Sequence, residues 1–369
     1  MNGPAKITII GLGLIGGSLG KALKKRRPGL VITGVDVKPA IIEAAIELGV
    51  IDEGTTVPAE GVRDADLVFL AAPVQAIAGV CREIAPHLAP EAIVTDVCST
   101  KENVLKIMAE TLPATARYVG GHPMAGSEKS GLEGVDELLF ENAVYILTPT
   151  AAADPVALQT VRDTVESLGA RVVFLTPAEH DAKVAAVSHL PHLAAAALMN
   201  TVGRLETQGA GYFQLAAGGL RDTTRIAAGN SELWCGILLN NEQAVLPLIQ
   251  TFQAALEEFA AAIRQRDPQA LSDLLSRARL WRSQLPTGMK SILPELYELT
   301  IAIPDQPGTI GEISTLLGRH AINIIDIEVL RVREGEQGAI RLGFLAKETR
   351  EKALLILAQY GYKARISEV

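Results

Sequence analysis

A glycine-rich loop near the start of the chain constrains the fold more than any other feature. The sequence GLGLIG at residues 11–16 follows an apolar, β-branched run, Ile7–Ile10, and opens a helical pattern. In this context Gly11 allows a tight turn, Gly13 lets a pyrophosphate approach the backbone, and Gly16 lets the helix pack closely on a sheet. The loop therefore predicts a sheet that binds a dinucleotide.

The same loop and an acidic residue downstream predict NAD as the cofactor. The amides of Leu14 and Ile15 lie at the positive end of the helix dipole, where they face the phosphates. Asp36 ends the second predicted strand, where a carboxylate accepts hydrogen bonds from ribose hydroxyls and repels a 2′-phosphate. A role for Asp36 as a simple strand-end cap stays open, and Lys38 is close enough to soften the selectivity.

From residue 5 to about residue 176, apolar β-branched runs alternate with helical patterns, which is typical of a doubly wound parallel α/β sheet. We therefore expect a Rossmann-like dinucleotide-binding domain over residues 1–176. The predicted strands are Ile7–Ile10, Val31–Val35, Leu67–Leu70, Ile93–Thr95, Tyr118–Val119, Val144–Leu147 and Val172–Leu175.

Two regions of different pattern follow. Residues 177–285 have apolar residues at helical spacing and few β-branched runs, which predicts an all-helical domain for substrate binding and dimerisation. Residues 286–295 contain Pro and Gly and are expected to be a linker. Residues 296–369 alternate as strand, helix, strand, strand, helix and strand, which predicts a ferredoxin-like βαββαβ domain.

Composition excludes several classes of protein. The chain of 369 residues has a formal net charge of −8 and 4% aromatic residues, which argues against a nucleic-acid partner. An uncharged run, Val184–Gly203, reaches membrane-spanning length, but it contains two histidines and Asn200, which are costly in lipid. The three cysteines have no metal-ligand spacing. We expect a cytoplasmic protein with no membrane partner and no metal.

Two segments at strand ends have the residue types for catalysis. Ser99, in the sequence DVCSTK, follows the fourth long predicted strand, at the edge of an open sheet where ligands bind. Ser99 either binds substrate or caps the next helix. His122 follows the fifth and lies between Gly121 and Pro123, which predicts that a loop holds it. A neutral imidazole there is suited to accept a hydroxyl proton.

The helical domain supplies further candidates. His189 and His192 are three residues apart and share a helix face, although no third zinc ligand is evident. Arg225 has a planar donor group that suits a carboxylate, and Asp222 lies three residues earlier on the same face. An ordinary surface ion pair is the alternative for these two residues.

Together these segments resemble the prephenate dehydrogenases of tyrosine biosynthesis. The resemblance covers about residues 5–285 and rests on the glycine loop with Asp36, the Ser99 loop, HPMAG at 122–126 with Glu128, SHLPH at 188–192 and RDTTR at 221–225. The last 75 residues resemble an ACT domain, a regulatory module that binds amino acids. The features that carry this second resemblance are DQPG at 305–308 and INI at 322–324.

The resemblance implies NAD-dependent oxidative decarboxylation of prephenate to 4-hydroxyphenylpyruvate and CO₂. His122 would accept a hydrogen bond from the 4-hydroxyl group, and Ser99 would support it. The remaining substrate-binding residues would be Arg225, His192, Glu128, His189, Asp222, Gly218 and Trp234. The resemblance also implies a homodimer through the helical domain and L-tyrosine as inhibitor. The effector site would contain Asp305, Gln306, Pro307, Gly308 and Asn323.

Three other functions remain open from the sequence. Arogenate dehydrogenase has the same chemistry, but its substrate carries an amino group in place of the keto group, and His192 favours the keto acid. A β-hydroxyacid dehydrogenase would need a catalytic lysine, for which Lys183 is the candidate. A non-catalytic NAD-linked amino-acid sensor would need the glycine loop and the ACT domain, but not His122, Ser99 or Arg225.

Overall fold

The computed structural model describes residues 4–126, 131–150, 153–206, 211–285, 296–304, 306–330 and 338–366. The chain divides into two compact units, Met1–Ala261 and Ala262–Val369, and each contains one sheet. The domain boundaries expected near residues 176 and 285 mark changes of local pattern, and they stay predictions.

Eight strands of the described residues form the sheet of the first unit. They are β1 (Lys6–Ile10), β2 (Val31–Val35), β3 (Glu53–Thr55), β4 (Leu67–Leu70), β5 (Ile93–Asp96), β6 (Arg117–Pro123), β7 (Val144–Thr148) and β8 (Arg171–Phe174). Their order is β3-β2-β1-β4-β5-β6-β7-β8. The sequence did not predict β3, because three residues with the sequence EGT contain no apolar run.

Apolar layers cover both faces of the central strands. Ile9 and Phe69 belong to one buried cluster, whereas Ile10 and Val68 belong to another. Successive side chains of a strand point to opposite faces, so the continuous apolar runs are buried on both sides. The doubly wound α/β architecture predicted for this region is confirmed.

The prediction that all these strands are parallel is wrong at one pair, because β6 and β7 are antiparallel. A parallel pair needs a crossover connection, usually a helix. The described residues between β6 and β7 contain only a short 3₁₀ turn, Leu132–Gly134. Residues Gly120–Pro123 of β6 pair with β7, so His122 lies in a strand and not in the predicted loop.

The helices that begin in the first unit flank the sheet or follow it along the chain. They are α1 (Leu14–Arg26), α2 (Pro39–Glu47), α3 (Pro58–Gly61), α4 (Val74–Ile84), α5 (Glu102–Thr111), α6 (Pro155–Glu166), α7 (Pro177–Val184), α8 (Leu190–Glu206), α9 (Gly218–Thr224), α10 (Ser231–Asn240) and α11 (Glu242–Gln265).

Helices α7 and α8 form one continuous helix with a π-helical turn, Ala185–His189, between them. A capping box begins α7, in which the Thr176 side chain accepts from the Glu179 amide and the Glu179 carboxylate accepts from the Thr176 amide. Single π-turns inside α-helices often occur at functional sites. Here the π-turn ends at His189, one of the histidines singled out from the sequence.

The second unit contains an antiparallel sheet with helices. Its described strands are β9 (Tyr297–Ile303), β10 (Asp326–Leu330), β11 (Gly338–Phe344) and β12 (Lys363–Ile366), and its helices are α12 (Pro268–Ser283), α13 (Thr309–Arg319) and α14 (Lys347–Gln359). The strand order is β10-β11-β9-β12. Leu299, Ile301 and Leu342 of the sheet pack with Leu317 and Leu357 of the helices in one buried core. The predicted ferredoxin-like domain is confirmed.

A buried ion pair holds the end of β5 against β6. The side chains of Asp96 and Lys101 are fully buried and in contact. The Lys101 ammonium also donates to the carbonyl oxygen of Gly121 at 2.6 Å, and the Asp96 carboxylate accepts from the amides of Cys98 and Gly121. A Cβ atom on Gly121 would lie 2.6 Å from the Asp96 carbonyl oxygen, so only glycine fits beside His122.

This ion pair predicts a large loss of stability in the variant Lys101→Met. Removing the ammonium leaves the Asp96 carboxylate buried without a charged partner, which costs about 3–5 kcal/mol in the free energy of unfolding. Urea denaturation of the purified protein measures the loss. The control is Lys106→Met on α5, whose ion pair with Glu110 is exposed and should contribute at most about 1 kcal/mol. Equal losses in the two variants would contradict the assignment.

Candidate active site

The glycine loop lies between β1 and α1 and has the shape that a pyrophosphate needs. Gly11 has φ +98°, and a Cβ atom there would lie 2.6 Å from the carbonyl oxygen of Ala71. A Cβ atom on Gly16 would overlap the carbonyl oxygen of Gly11. In contrast, a Cβ atom on Gly13 would have no described atom within 4 Å. The approach to the start of α1 is therefore open, as binding of an anion requires.

Asp36 is half-buried at the end of β2 and is bonded to this loop. One oxygen of its carboxylate accepts from the amide of Leu12 at 3.1 Å, and the other accepts from the amide of Lys38 at 3.1 Å. The two interpretations left open by the sequence are therefore compatible. The carboxylate fixes the loop, and its remaining lone pairs are available to ribose hydroxyls.

The imidazole of His122 is buried near the end of β6, next to Gly121 and the Lys101 ammonium. Its Nδ1 atom lies 2.8 Å from Nε2 of His180, and the two rings meet edge to face. Burial, and after it the neighbouring His180 and Lys101, holds the pKa of His122 well below the ordinary value of 6.5. His122 is therefore neutral at physiological pH, as a proton acceptor must be.

The residue that organises this region is Asp181, in the first turns of α7. Its carboxylate accepts from the backbone amides of Lys101 at 2.8 Å and Glu102 at 2.9 Å, at the start of α5. It also contacts Nδ1 of His180 at 2.7 Å. The start of α5 is therefore capped by a side chain 80 positions away, and the interpretation of Ser99 as the cap of α5 is wrong.

Sequence reasoning missed His180 and Asp181. The sequence around them shows a helix start, with Thr176, Pro177 and Glu179 in the order expected of a cap. Nothing in the local pattern indicates that His180 contacts His122, since the two residues are 58 positions apart. The available signal was an adjacent His-Asp pair in the first turns of a predicted helix start, which favours a histidine oriented by a carboxylate.

A second group of side chains surrounds Trp234 on α10. The imidazole of His192 stacks on the indole with ring centroids 3.6 Å apart, and the ring of His189 meets it edge to face at 6.0 Å. A Cβ atom on Gly229 would lie 2.9 Å from the indole nitrogen, so this glycine makes room for the stack. Nδ1 of His192 is buried and has no hydrogen-bond partner within the described part of the chain.

Asn241 connects the two groups of side chains. Its Nδ2 atom donates to the carbonyl oxygen of Asp181 at 2.9 Å and lies 3.2 Å from Nδ1 of His189. Burial, which is the largest cause, lowers the pKa of His189 to about 4 and also lowers that of His192. The three histidines His122, His189 and His192 are therefore neutral at physiological pH.

Of the other residues expected in the site, those that the structure describes are less buried than these histidines. Ser99 is half-buried between β5 and α5, whereas Gly218 and Asp222 of α9 are exposed. Arg225 is also exposed and begins a 3₁₀ turn directly after α9. Glu128 lies outside the described residues. The roles expected for these residues stay predictions.

Comparison with known proteins agrees with both resemblances stated from the sequence, that of residues 5–285 and that of the last 75 residues. Family profiles described as "Prephenate dehydrogenase, nucleotide-binding domain", "Prephenate dehydrogenase, dimerization domain" and "ACT domain" match residues 19–174, 176–277 and 297–355. The chain is 36% identical to a prephenate dehydrogenase of Bacillus subtilis over 94% of both chains. It is 34% identical to that of Lactococcus lactis, over 95% of this chain and 97% of the other.

Solved structures similar to this chain include enzymes of the same type. A prephenate dehydrogenase of Aquifex aeolicus, in complex with hydroxyphenyl propionate and NAD⁺, superimposes with a TM-score of 0.72 at 33% identity, covering 76% of this chain and 98% of that one. An arogenate dehydrogenase of Synechocystis superimposes with a TM-score of 0.65 at 35% identity, covering 76% of this chain and 99% of that one. The resemblance stated from the sequence is confirmed: the chain belongs to the prephenate dehydrogenase family of NAD-dependent oxidoreductases and carries a C-terminal ACT domain.

Proposed function

We propose that this chain oxidises prephenate with NAD to 4-hydroxyphenylpyruvate and CO₂ in tyrosine biosynthesis, and that L-tyrosine inhibits it through the ACT domain. The observation that supports the proposed catalysis is the imidazole of His122, which is buried and neutral. It lies near the carboxyl end of β6, in the same sheet as β1, the strand that leads into the glycine loop. An amino-acid sensor without catalysis would need no such base.

The loop of Gly11, Gly13 and Gly16 would hold the pyrophosphate of NAD, and Asp36 would accept from its ribose hydroxyls. When bound, NAD supplies the hydride acceptor. The carboxylate of Asp36 would lie close to the 2′-phosphate of NADP, and two like charges at that distance repel. This repulsion supports a preference for NAD.

In the reaction proposed here, His122 is the single group that accepts a proton from the substrate and later returns it. As the hydride leaves C4, Nε2 of His122 takes the proton of the 4-hydroxyl group, and the O–H electron pair forms the carbonyl bond. The bond to the ring carboxylate then breaks, and its electron pair moves through the ring to the former hydroxyl oxygen. His122 returns the proton to that oxygen. The ring becomes aromatic, and the balance needs no further acid or base.

Substrate recognition would use the residues around Trp234. The stacked ring of His192 is fixed in place, and its unpartnered Nδ1 atom is suited to a polar group of the pyruvyl side chain. Arg225 would bind a carboxylate through paired hydrogen bonds. Ser99 would support His122 and the hydroxyl, while His189, Asp222, Gly218 and Glu128 would complete the site. A neutral imidazole suits a keto acid better than the ammonium of arogenate.

The oligomer proposed is a homodimer through the helical region. One family profile matching residues 176–277 is described as a dimerization domain. Helix α11 exposes Leu246, Phe252, Leu256 and Ile263, and exposed apolar side chains in such number are typical of a surface that a partner covers. The long helix Pro177–Glu206 has the length and composition of a membrane span, but we assign it to the active site, since it carries His189 and His192. We propose a cytoplasmic location.

The ACT domain has a cavity suited to a free amino acid. This cavity has a volume of about 570 Å³, and the residues that line it include Gly308, Glu312, Arg319, His320, Tyr360 and Tyr362. Arg319 would bind the carboxylate and Glu312 the ammonium group. Of the residues predicted for the effector site, Gly308 lines this cavity. Gln306, Pro307 and Asn323 are exposed, and Asp305 lies outside the described residues.

The role of His122 as base predicts the turnover of a variant and the pH dependence of the native enzyme. His122→Asn should reduce kcat by about 10²–10⁴ through loss of the base, while the dissociation constant of NADH stays unchanged. Protonation of His122 abolishes its acceptor, so kcat/KM of the native enzyme should fall only as the pH drops through the lowered pKa, below 6.5. NADH formation at 340 nm with prephenate, and separately with arogenate, measures both effects.

The control is His87→Asn, which replaces an exposed histidine and should leave kcat unchanged. An unchanged kcat in His122→Asn would exclude His122 as the base. A higher kcat/KM with arogenate than with prephenate would assign the chain to the second substrate.

Cofactor selectivity is tested by Asp36→Asn. The amide keeps an acceptor for the Leu12 backbone but removes the negative charge, so the preference for NAD over NADP should fall by about tenfold or more, since hydrogen bonds to charged groups contribute about 1.5–3 kcal/mol. The ratio of kcat/KM with the two cofactors measures this. Asp52→Asn is the matched control, because Asp52 also accepts from a backbone amide, that of Ile32. An unchanged ratio in Asp36→Asn would exclude Asp36 as the selective residue.

Regulation is tested on the full chain by titration with L-tyrosine. The native enzyme should be inhibited, and Arg319→Ala should keep basal kcat but need at least tenfold more tyrosine, because the effector carboxylate loses its partner. Lys347→Ala, at an exposed position on α14, is the control. Inhibition unchanged by Arg319→Ala would exclude this cavity, and a native enzyme insensitive to L-tyrosine would exclude this effector.

A further inference from the structure

We propose that His180 and Asp181 are positioning residues that fix the proton of His122 on Nδ1 and so leave Nε2 as the acceptor for the substrate hydroxyl. The three side chains form a continuous line of contacts, with Nδ1 of His122 at 2.8 Å from Nε2 of His180 and Nδ1 of His180 at 2.7 Å from the carboxylate of Asp181. All three residues are buried. This inference rests on the proposed function of His122.

The direction of hydrogen bonding is set at Asp181. Both of its carboxylate oxygens receive backbone N–H groups, from Lys101 and from Glu102, and a backbone amide can only donate. The same contacts place the carboxylate at the positive end of the helix dipole of α5. The nitrogen of His180 that faces this carboxylate must therefore carry a proton.

The tautomer of His180 determines which nitrogen of His122 carries the proton. A neutral imidazole has one N–H donor and one acceptor nitrogen. With its proton on Nδ1, His180 has Nε2 as acceptor, so the facing Nδ1 of His122 donates. The lone pair of His122 is then on Nε2, the nitrogen that accepts the hydroxyl proton. When Nε2 takes this proton, the imidazolium charge lies one ring away from the Asp181 carboxylate.

His189 should have the opposite tautomer. The carbonyl oxygen of Asp181 accepts a hydrogen bond from the side chain of Asn241, and a carbonyl cannot donate, so the atom of Asn241 at this position is its amide nitrogen. The same nitrogen lies 3.2 Å from Nδ1 of His189, which must therefore be an acceptor. His189 carries its proton on Nε2 and provides an internal reference for His122.

The first experiment measures the tautomers directly in the native full-length protein. The chain has six histidines, so labelling with ¹⁵N-histidine gives few signals, and single histidine variants assign them. We expect His122 and His180 protonated on Nδ1 and His189 protonated on Nε2 at neutral pH. A proton on Nε2 of His122 in the free enzyme would overturn the proposal.

The second experiment uses Asp181→Asn, whose amide group can donate to Nδ1 of His180 and so reverse the tautomers along the line. We expect kcat to fall by about 10²–10⁴, the usual effect of a base held in the wrong tautomer. KM for prephenate and the dissociation constant of NADH should stay within about twofold. Asp267→Asn is the matched control, because Asp267 caps α12 through backbone amides and Asn is an equally good cap.

The outcomes separate the two proposals. A native enzyme that oxidises neither prephenate nor arogenate, yet shows the expected tautomers, rejects the proposed function and keeps the positioning role. A folded Asp181→Asn variant with native kcat rejects the positioning role and keeps the function. Should Asp181→Asn fail to fold, the tautomers of the native protein still decide.

Discussion

The active site depends on one buried carboxylate, that of Asp181. It caps the start of α5 through the amides of Lys101 and Glu102, and it contacts the ring of His180. The first contacts are structural, because the free amides of a helix start are costly when buried. The last is functional, because it orients the histidine that faces His122. A single side chain therefore couples the packing of α5 against α7 to the protonation of His122, the proposed base.

Burial gives the site its electrostatic character. The chain carries a formal net charge of −8, yet its cofactor and proposed substrate are anions, so attraction must be local. The open start of α1 would provide it for the pyrophosphate, and Arg225 would provide it for a carboxylate. His122, His189 and His192 do not add positive charge, because burial lowers their pKa values. As neutral hydrogen-bonding groups they would suit the proposed reaction, in which one proton leaves the substrate hydroxyl and later returns to it.

Local sequence patterns predicted those features that depend on local structure. The glycine loop, the end of β2 at Asp36 and the βαββαβ domain follow from residue spacing and turn chemistry. His122 was singled out as a candidate because glycine and proline flank it. The sequence could not place Asp181 or His180 beside His122, since those contacts join segments 58 to 80 positions apart. Two predictions from the sequence were wrong, namely Ser99 as a possible cap of α5 and a parallel pairing of β6 with β7. Both features depend on neighbours that only the folded chain brings together.

If Asp181 and His180 act through His122 as proposed, they act on the step that breaks the C4–H bond of the substrate. The kinetic isotope effect on kcat with prephenate deuterated at C4 reports on this step, and it can be compared between the native enzyme and Asp181→Asn. If the line acts on this step, kcat falls in the variant and the isotope effect rises or stays at its full size, because bond cleavage limits turnover. A fall in kcat accompanied by a vanishing isotope effect would place the defect in product release or a conformational step and would contradict the claim.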